Sequence, residues 1–158
     1  MADRTRMLEC WSEDVDDSVE KLWLSLAREM FEIERFVLPS KGNGDKWAEF
    51  VRESLDNGRD FLLVAKCGDR LVGFAYASFA RVFPFEVAEF VGVVNDVYVV
   101  PKLRGRGIGK KLMGECLNRL KAGGVNTVRL TVLTDNIVAV KLYEKLGFRI
   151  YRYRMIKV

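Results

Sequence analysis

The stretch Asn95-Asp96-Val97-Tyr98-Val99-Val100-Pro101-Lys102-Leu103-Arg104-Gly105-Arg106-Gly107-Ile108-Gly109-Lys110-Lys111 passes from β-branched and aromatic residues, through a proline, into three alternating glycines among basic side chains. Its first part has strand composition. From Ile108 a helical stripe begins, Ile108, Leu112, Met113, Cys116, Leu117 and Leu120, and it stops at Gly123-Gly124. A glycine-rich turn between a strand and an amphipathic helix lets backbone N–H groups point at an anion, and the helix dipole with nearby Arg and Lys reinforces the attraction. The segment is therefore a candidate phosphate cradle. Glycine inside a helix costs about 1 kcal/mol per residue, so a plain helix start explains Gly105, Gly107 and Gly109 poorly. Two other phosphate motifs fail on spacing. A Walker loop needs Gly where Arg104 stands and Ser or Thr where Lys111 stands, and a dinucleotide fingerprint needs Gly at Lys110.

Upstream, Asp14 to Phe31 places Val19, Leu22, Trp23, Leu26 and Met30 at helical spacing behind a cluster of acids suited to a helix N-terminus. A short apolar start, Met7 to Trp11, precedes it. Pro39 to Gly44 reads as a loop, and Trp47, Phe50, Val51 and Leu55 mark a second helix ending near Asn57-Gly58. Phe61 to Lys66 and Leu71 to Phe79 flank the turn Cys67-Gly68-Asp69-Arg70 as a hairpin, and Val87 to Val100 is a third long strand. Downstream, Val128 to Leu133 reads as a strand, Asn136 to Leu146 as a helix stopped by Gly147, and Phe148 to Ile156 as a closing strand. The order is β-α-α-β-β-β-α-β-α-β, with no repeat or linker, which predicts one domain over residues 1–158.

The 158 residues include no His, so the commonest general base and metal ligand are missing and no metal is expected. Cys10, Cys67 and Cys116 are odd in number and widely spaced, reading as reduced thiols. No uninterrupted apolar run approaches the roughly 18 residues of a membrane span, and the acidic N-terminus lacks a signal-like core, so a cytoplasmic location and no membrane partner are expected. The net charge of +4 conceals a split. Residues 1–100 hold 12 Lys/Arg against 19 Asp/Glu, whereas residues 101–158 hold 14 against 3. A basic half implies an anionic partner, unless it is merely solvated surface.

The cradle resembles motif A of the GNAT superfamily of N-acetyltransferases, [QR]-x-x-G-x-[GA], as Arg104-Gly105-Arg106-Gly107-Ile108-Gly109. Starting 27 residues after Gly109, Asn136-Ile137-Val138-Ala139-Val140-Lys141-Leu142-Tyr143-Glu144-Lys145-Leu146-Gly147-Phe148 resembles that superfamily's second block, N-x-x-A-x-x-x-Y-x-x-x-G-F. The resemblance implies an α/β domain of α+β type with a mixed central sheet of about six to seven strands flanked by about four helices. It also implies acetyl-CoA as cosubstrate. Backbone groups of Val97, Tyr98 and Val99 would hold the acetyl and pantetheine parts. Arg104, Gly105, Arg106, Gly107, Ile108, Gly109 and Lys110 would cradle the pyrophosphate, Asn136 would contact the pantetheine arm, and Tyr143 would protonate the departing sulfur. Without the motif, Tyr143 reads as a core residue with its hydroxyl at the surface, and Asn136 as a helix cap.

An amine must lose a proton to attack a thioester, yet no dedicated base stands at the positions where this superfamily places one. Thr131, Asn95 and Val93 occupy them. The remaining candidates are Asp96, which is preferred, and Glu89, either of which could act through water. The expected function is direct acetyl transfer to a primary amine of a small molecule, a polyamine, or a peptide or protein. Glu29, Glu32 and Glu34 suggest a cationic acceptor. A CoA-binding regulatory module with little turnover is the alternative; nucleic acid is not an expected partner, although the tail Arg149 to Lys157 is basic. Homodimerisation and preference for another acyl-CoA stay open.

Overall fold

Near-continuous apolar runs such as Phe61 to Ala65 make β-strands whose two faces must both be covered, and here helices cover both. The computed structural model describes residues 17–84 and 86–157. The elements are α1 (Asp17–Glu34), α2 (Lys41–Asp56), β1 (Asp60–Cys67), β2 (Arg70–Arg81), β3 (Phe90–Val99), a 3-10 turn at Pro101–Leu103, α3 (Ile108–Ala122), β4 (Val128–Leu130) and α4 (Ile137–Lys145). The sheet order is β1-β2-β3-β4, with the first two pairings antiparallel and the last parallel.

On one face, Leu62, Val64, Phe74, Tyr76 and Tyr98 pack against Val19, Leu22, Trp23 and Ala27 of α1 and Ala48 and Val51 of α2. On the other, Leu63, Ala75, Val94 and Val99 pack against Ile108, Leu112, Met113, Cys116 and Leu120 of α3, with Tyr143 of α4 and Leu146 at its C-cap beside them. Fully burying an aliphatic or aromatic side chain contributes about 1.5–3 kcal/mol, so the α3 stripe is a main anchor of the cradle.

The sheet has four strands among the described residues, not six to seven. Met7 to Trp11 lies outside them. Residues 148–157 form no strand, and residues 149–157 are exposed throughout. In that tail Arg149 shares one alternate set with Tyr151 and Tyr153, and Arg152 and Arg154 share the other with Ile150 and Ile156, so neither face is apolar enough to settle on the sheet. β3 begins at Phe90 rather than Val87, which is fully exposed, and β4 stops at Leu130 rather than Leu133. No described helix is long and apolar enough to cross a membrane.

The stretch expected as a loop is in fact the first turn of α2. The Ser40 hydroxyl accepts the Asn43 N–H at 3.3 Å, an N-cap that composition alone disguises. Gly44 lies against α1, where an added Cβ would come within 2.9 Å of Glu20 Oε1 and 3.2 Å of the Leu24 side chain. Glycine is there for close helix approach rather than to break the helix.

Candidate active site

A bulge in the middle of β3 builds the site. Asp96 pairs with Tyr76 and Val94 with Ala77, so Asn95 is an extra residue on β3. Before it, the Gly92 N–H reaches across to Thr127 of the β4 side at 2.9 Å; after it, the Val100 N–H reaches Val72 of the β2 side at 2.9 Å. The inserted residue switches which set of amides faces which neighbour. By the alternation of an antiparallel ladder, Asp96, Tyr98 and Val100 then bond towards β2, and the N–H groups of Val97 and Val99 turn the other way. Parallel pairing with β4 ends at Val94–Leu130, so these two amides face an opening between diverging strands. Val97 and Val99 are thus placed to hold an oxygen. Tyr98 is not, because its amide belongs to the β2 ladder and its ring is buried towards α1.

The same opening leads to the cradle. Gly105 and Gly107 have φ of 77° and 81°, left-handed values that a side chain would strain. Gly107 caps α3 without a side-chain hydrogen bond, and the first N–H of the helix to find a carbonyl is Lys111, on Gly107 O at 3.0 Å. The amides of Ile108, Gly109 and Lys110 are left pointing out of the helix end, as an anion site requires. Ile108 can offer only its amide, since its side chain is in the core. Arg106, Lys110 and Lys111 are exposed beside it. Gly109 has no left-handed φ, and a Cβ there would meet Leu142 at an ordinary 3.5 Å. The protein itself does not need glycine at that position; close approach of a ligand would.

Arg104 is engaged by groups of the protein itself. Its Nε donates to Val99 O at 2.8 Å and its Nη2 to both carboxylate oxygens of Glu29, at 2.7 and 2.9 Å. The guanidinium also lies over the Tyr98 ring, 5.3 Å from its centroid, and the Tyr98 hydroxyl donates to Glu29 at 3.4 Å. The carboxylate read as an acceptor attractant is therefore tied to the cradle, while Glu32 pairs with Arg35 on the surface. Asn136 caps α4 by accepting the Ala139 N–H at 3.2 Å. Tyr143 is half-buried, edge-on to Phe148 with centroids 6.0 Å apart. Burial, and next the charge of Asp96, push its hydroxyl above the ordinary phenol value, so it stays protonated at neutral pH.

Asp96 accepts the Trp47 indole N–H at 3.1 Å, and burial raises its carboxyl despite that bond. Trp47 is fixed in turn by stacking on Trp23, centroids 5.4 Å apart, and by its edge contact with Phe74. Glu89 belongs elsewhere. It precedes the far end of β3 and pairs with Arg81 at 3.4 Å, both side chains exposed, so it does not join Asp96. Cys116 is fully buried with its thiol pushed up to about 12, mainly by burial, and Cys67 is exposed at the end of β1 and does not line the cavity beside Asp96, which leaves neither as an acetyl carrier. Cys10 lies outside the described residues.

Two residues escaped the sequence reading. Asp60, at the start of β1, and Tyr76, in mid-β2, share the α2-side face with Asp96, and the Tyr76 hydroxyl donates to the Asp60 carboxylate. Burial raises the carboxyl of Asp60 and the hydroxyl of Tyr76. Together with Trp47, Asn95 and Asp96 they line an open cavity of about 490 Å³ beside the bulge. No short-range motif could reveal it, because these residues come from four different elements.

Comparison with known proteins agrees with this geometry. Over 108 residues the chain is 38% identical to the N-alpha-acetyltransferase RimI of Mycobacterium tuberculosis, covering 66% of this chain and 63% of that protein. It is 38% identical over 104 residues to mycothiol acetyltransferase of Saccharomonospora viridis, covering 63% of this chain and 33% of that one. The match thus spans less than two thirds of the length of either relative. A GCN5-related N-acetyltransferase from Ralstonia eutropha superposes with a TM-score of 0.74 at 20% identity, covering 98% of this chain and 97% of that one. The aminoglycoside N-acetyltransferase AAC(6')-Iy in complex with CoA does so with a TM-score of 0.73 at 15% identity, covering 100% and 97%. These two share the fold. With the family's sequence profile matching residues 20–148 across the bulged strand, the cradle and α4, the chain belongs to the acetyltransferase (GNAT) family.

Proposed function

We propose that the chain is an acetyl-CoA-dependent N-acetyltransferase that passes acetyl directly to a primary amine. One observation carries the reading: the amides of Val97 and Val99, which the bulge turns into the strand opening, adjoin an uncapped α3 N-terminus with room at Gly109. The amides of Ile108, Gly109 and Lys110, with Arg106 and Lys110 side chains nearby, would hold the pyrophosphate. Arg104 would act by stiffening the loop, and Asn136 by setting the start of α4 beside the pantetheine arm. Bound acetyl-CoA would supply a thioester carbonyl activated for attack.

Asp96 would take the proton of the attacking amine, directly or through water; its raised affinity for a proton suits a base better than an ordinary surface carboxylate would. Val97 and Val99 would donate to the carbonyl oxygen as negative charge develops on it. The N–C bond forms as the C–S bond breaks, and Tyr143 would return a proton to sulfur. The half-buried carboxyl of Asp96 beside the opening, raised above its ordinary value, also speaks against a binding module without turnover.

The test is thiol release by purified protein from acetyl-CoA across a panel of amines, with Tyr143→Phe beside the parent. Expected are release with at least one amine and about a hundredfold lower kcat in Tyr143→Phe, with acetyl-CoA affinity retained. Tight CoA binding without release for any amine would overturn the reading.

A further inference from the structure

The cavity beside Asp96 is not explained by acetyl transfer alone, which needs only one carboxylate. Asp60 and Asp96 both line it, yet no Lys or Arg does. Each carboxylate is held by a neutral donor instead: Tyr76 for Asp60, and Trp47 for Asp96. The Trp47 bond uses Asp96 Oδ2. Partly desolvated carboxylates without a cation are costly to the fold, and a cationic ligand relieves that cost. The walls between them include Trp47 and Phe50, whose faces attract ammonium groups and pack methylene chains.

The sheet register sets the spacing. Asp96 is level with Tyr76 and Leu62, and Asp60 is level with Ser78, so the two aspartates stand two strands apart and two residues displaced along the strand. Strand spacing and rise put their backbones on the order of 10 Å apart. A diamine of three to six carbons spans roughly 5–9 Å between its nitrogens, and because both carboxylates line one cavity it can set one nitrogen at Asp96 and the other near Asp60.

Resting on the proposed activity, we propose that this cavity is the acceptor subsite, that it takes a flexible aliphatic amine bearing two cationic nitrogens, and that Asp60, oriented by Tyr76, holds the nitrogen that is not acetylated. A peptide N-terminus fits less well. It would bring backbone donors and acceptors against the apolar surfaces of Trp47, Phe50 and Val93.

The experiment measures kcat/KM for thiol release by the intact chain with α,ω-diaminoalkanes of three to six carbons, n-butylamine and a short peptide with a free N-terminus. The expected result is at least a tenfold preference for a diamine over n-butylamine, with an optimum in chain length, and collapse of that ratio towards one in Asp60→Asn. Tyr76→Phe should lower the ratio by a smaller factor. The length series on the parent protein stands even if a variant fails to fold. Equal use of monoamine and diamine, or a tenfold preference for the peptide, would overturn this subsite while leaving the N-acetyltransferase reading intact. Absence of release with every amine would overturn both.

Discussion

The proposed phosphate cradle and the acidic cavity lie on either side of the bulged half of β3, and they are built from different materials. The cradle is made of main chain: amides of consecutive residues at one helix end, exposed by left-handed Gly105 and Gly107. The cavity is made of side chains, with Trp47, Asp60, Tyr76 and Asp96 contributed by α2, β1, β2 and β3. A backbone site must be contiguous in the chain and must use glycine, so it writes a local signature. A side-chain site needs neither. The cradle would accordingly serve the part of the reaction that does not vary, and the cavity would select the acceptor.

This division can be broken by substitutions that act on one region and not the other. The largest effect is expected for Asp96→Asn, which should lower thiol release by about a hundredfold or more, the usual worth of a general base, without weakening acetyl-CoA binding. Its stability should move the opposite way. Burial holds the Asp96 carboxyl above its ordinary value of 3.8, so the folded chain binds that proton more tightly than the unfolded chain. The contribution to stability is complete below the unfolded value and is lost as pH rises through the folded one. Asn, which stays neutral and can still accept the Trp47 N–H, avoids the loss, so thermal melting at neutral pH should show a Tm no lower than the parent's. A clearly lower Tm would mean that the carboxylate is mainly structural.

Gly109→Ala should act only on the cradle. The added Cβ meets Leu142 at 3.5 Å without backbone strain, and exchanging glycine for alanine in a helix gains about 0.5–1 kcal/mol. Denaturation should therefore show equal or higher stability, while calorimetry shows roughly tenfold weaker acetyl-CoA binding, the equivalent of about 1.4 kcal/mol. Unchanged affinity would remove Gly109 from the ligand's path. The smallest effect is expected for Glu29→Gln. The Glu29–Arg104 pair is 43% and 40% exposed, so its loss should cost less than about 1 kcal/mol of stability. Arg104 is still held by the Val99 carbonyl, and removal of the Glu29 charge from beside an anion site should tighten acetyl-CoA binding by about two- to threefold. Weakening of more than tenfold would show instead that α1 orders the cradle through this pair.

Legibility followed the range of the forces involved. The stripe from Ile108 to Leu120 and the cap at Asn136 were readable because helical periodicity and capping act over a few residues. The first turn of α2 was misread because Gly42 and Gly44 look like loop residues until α1 is seen packed against Gly44. Phe148 to Ile156 was misread as a strand because β-branched and aromatic content reports propensity, not whether a partner strand is in reach. In the site, the glycines of the cradle were legible, but the direction of Arg104 was not, since its partner Glu29 is 75 residues away in the chain.

From the order of residues alone came the cradle, the helix behind it and the family resemblance, all of which depend on main-chain geometry written by neighbouring residues. Only the tertiary structure decided that Asn95 is the bulge that turns Val97 and Val99 outward, that Glu29 holds Arg104, and that Asp60 and Asp96 face one cavity. The reason is physical: strand register and helix packing bring together groups that share no stretch of chain, and hydrogen bonding and desolvation depend on who the neighbours are in space.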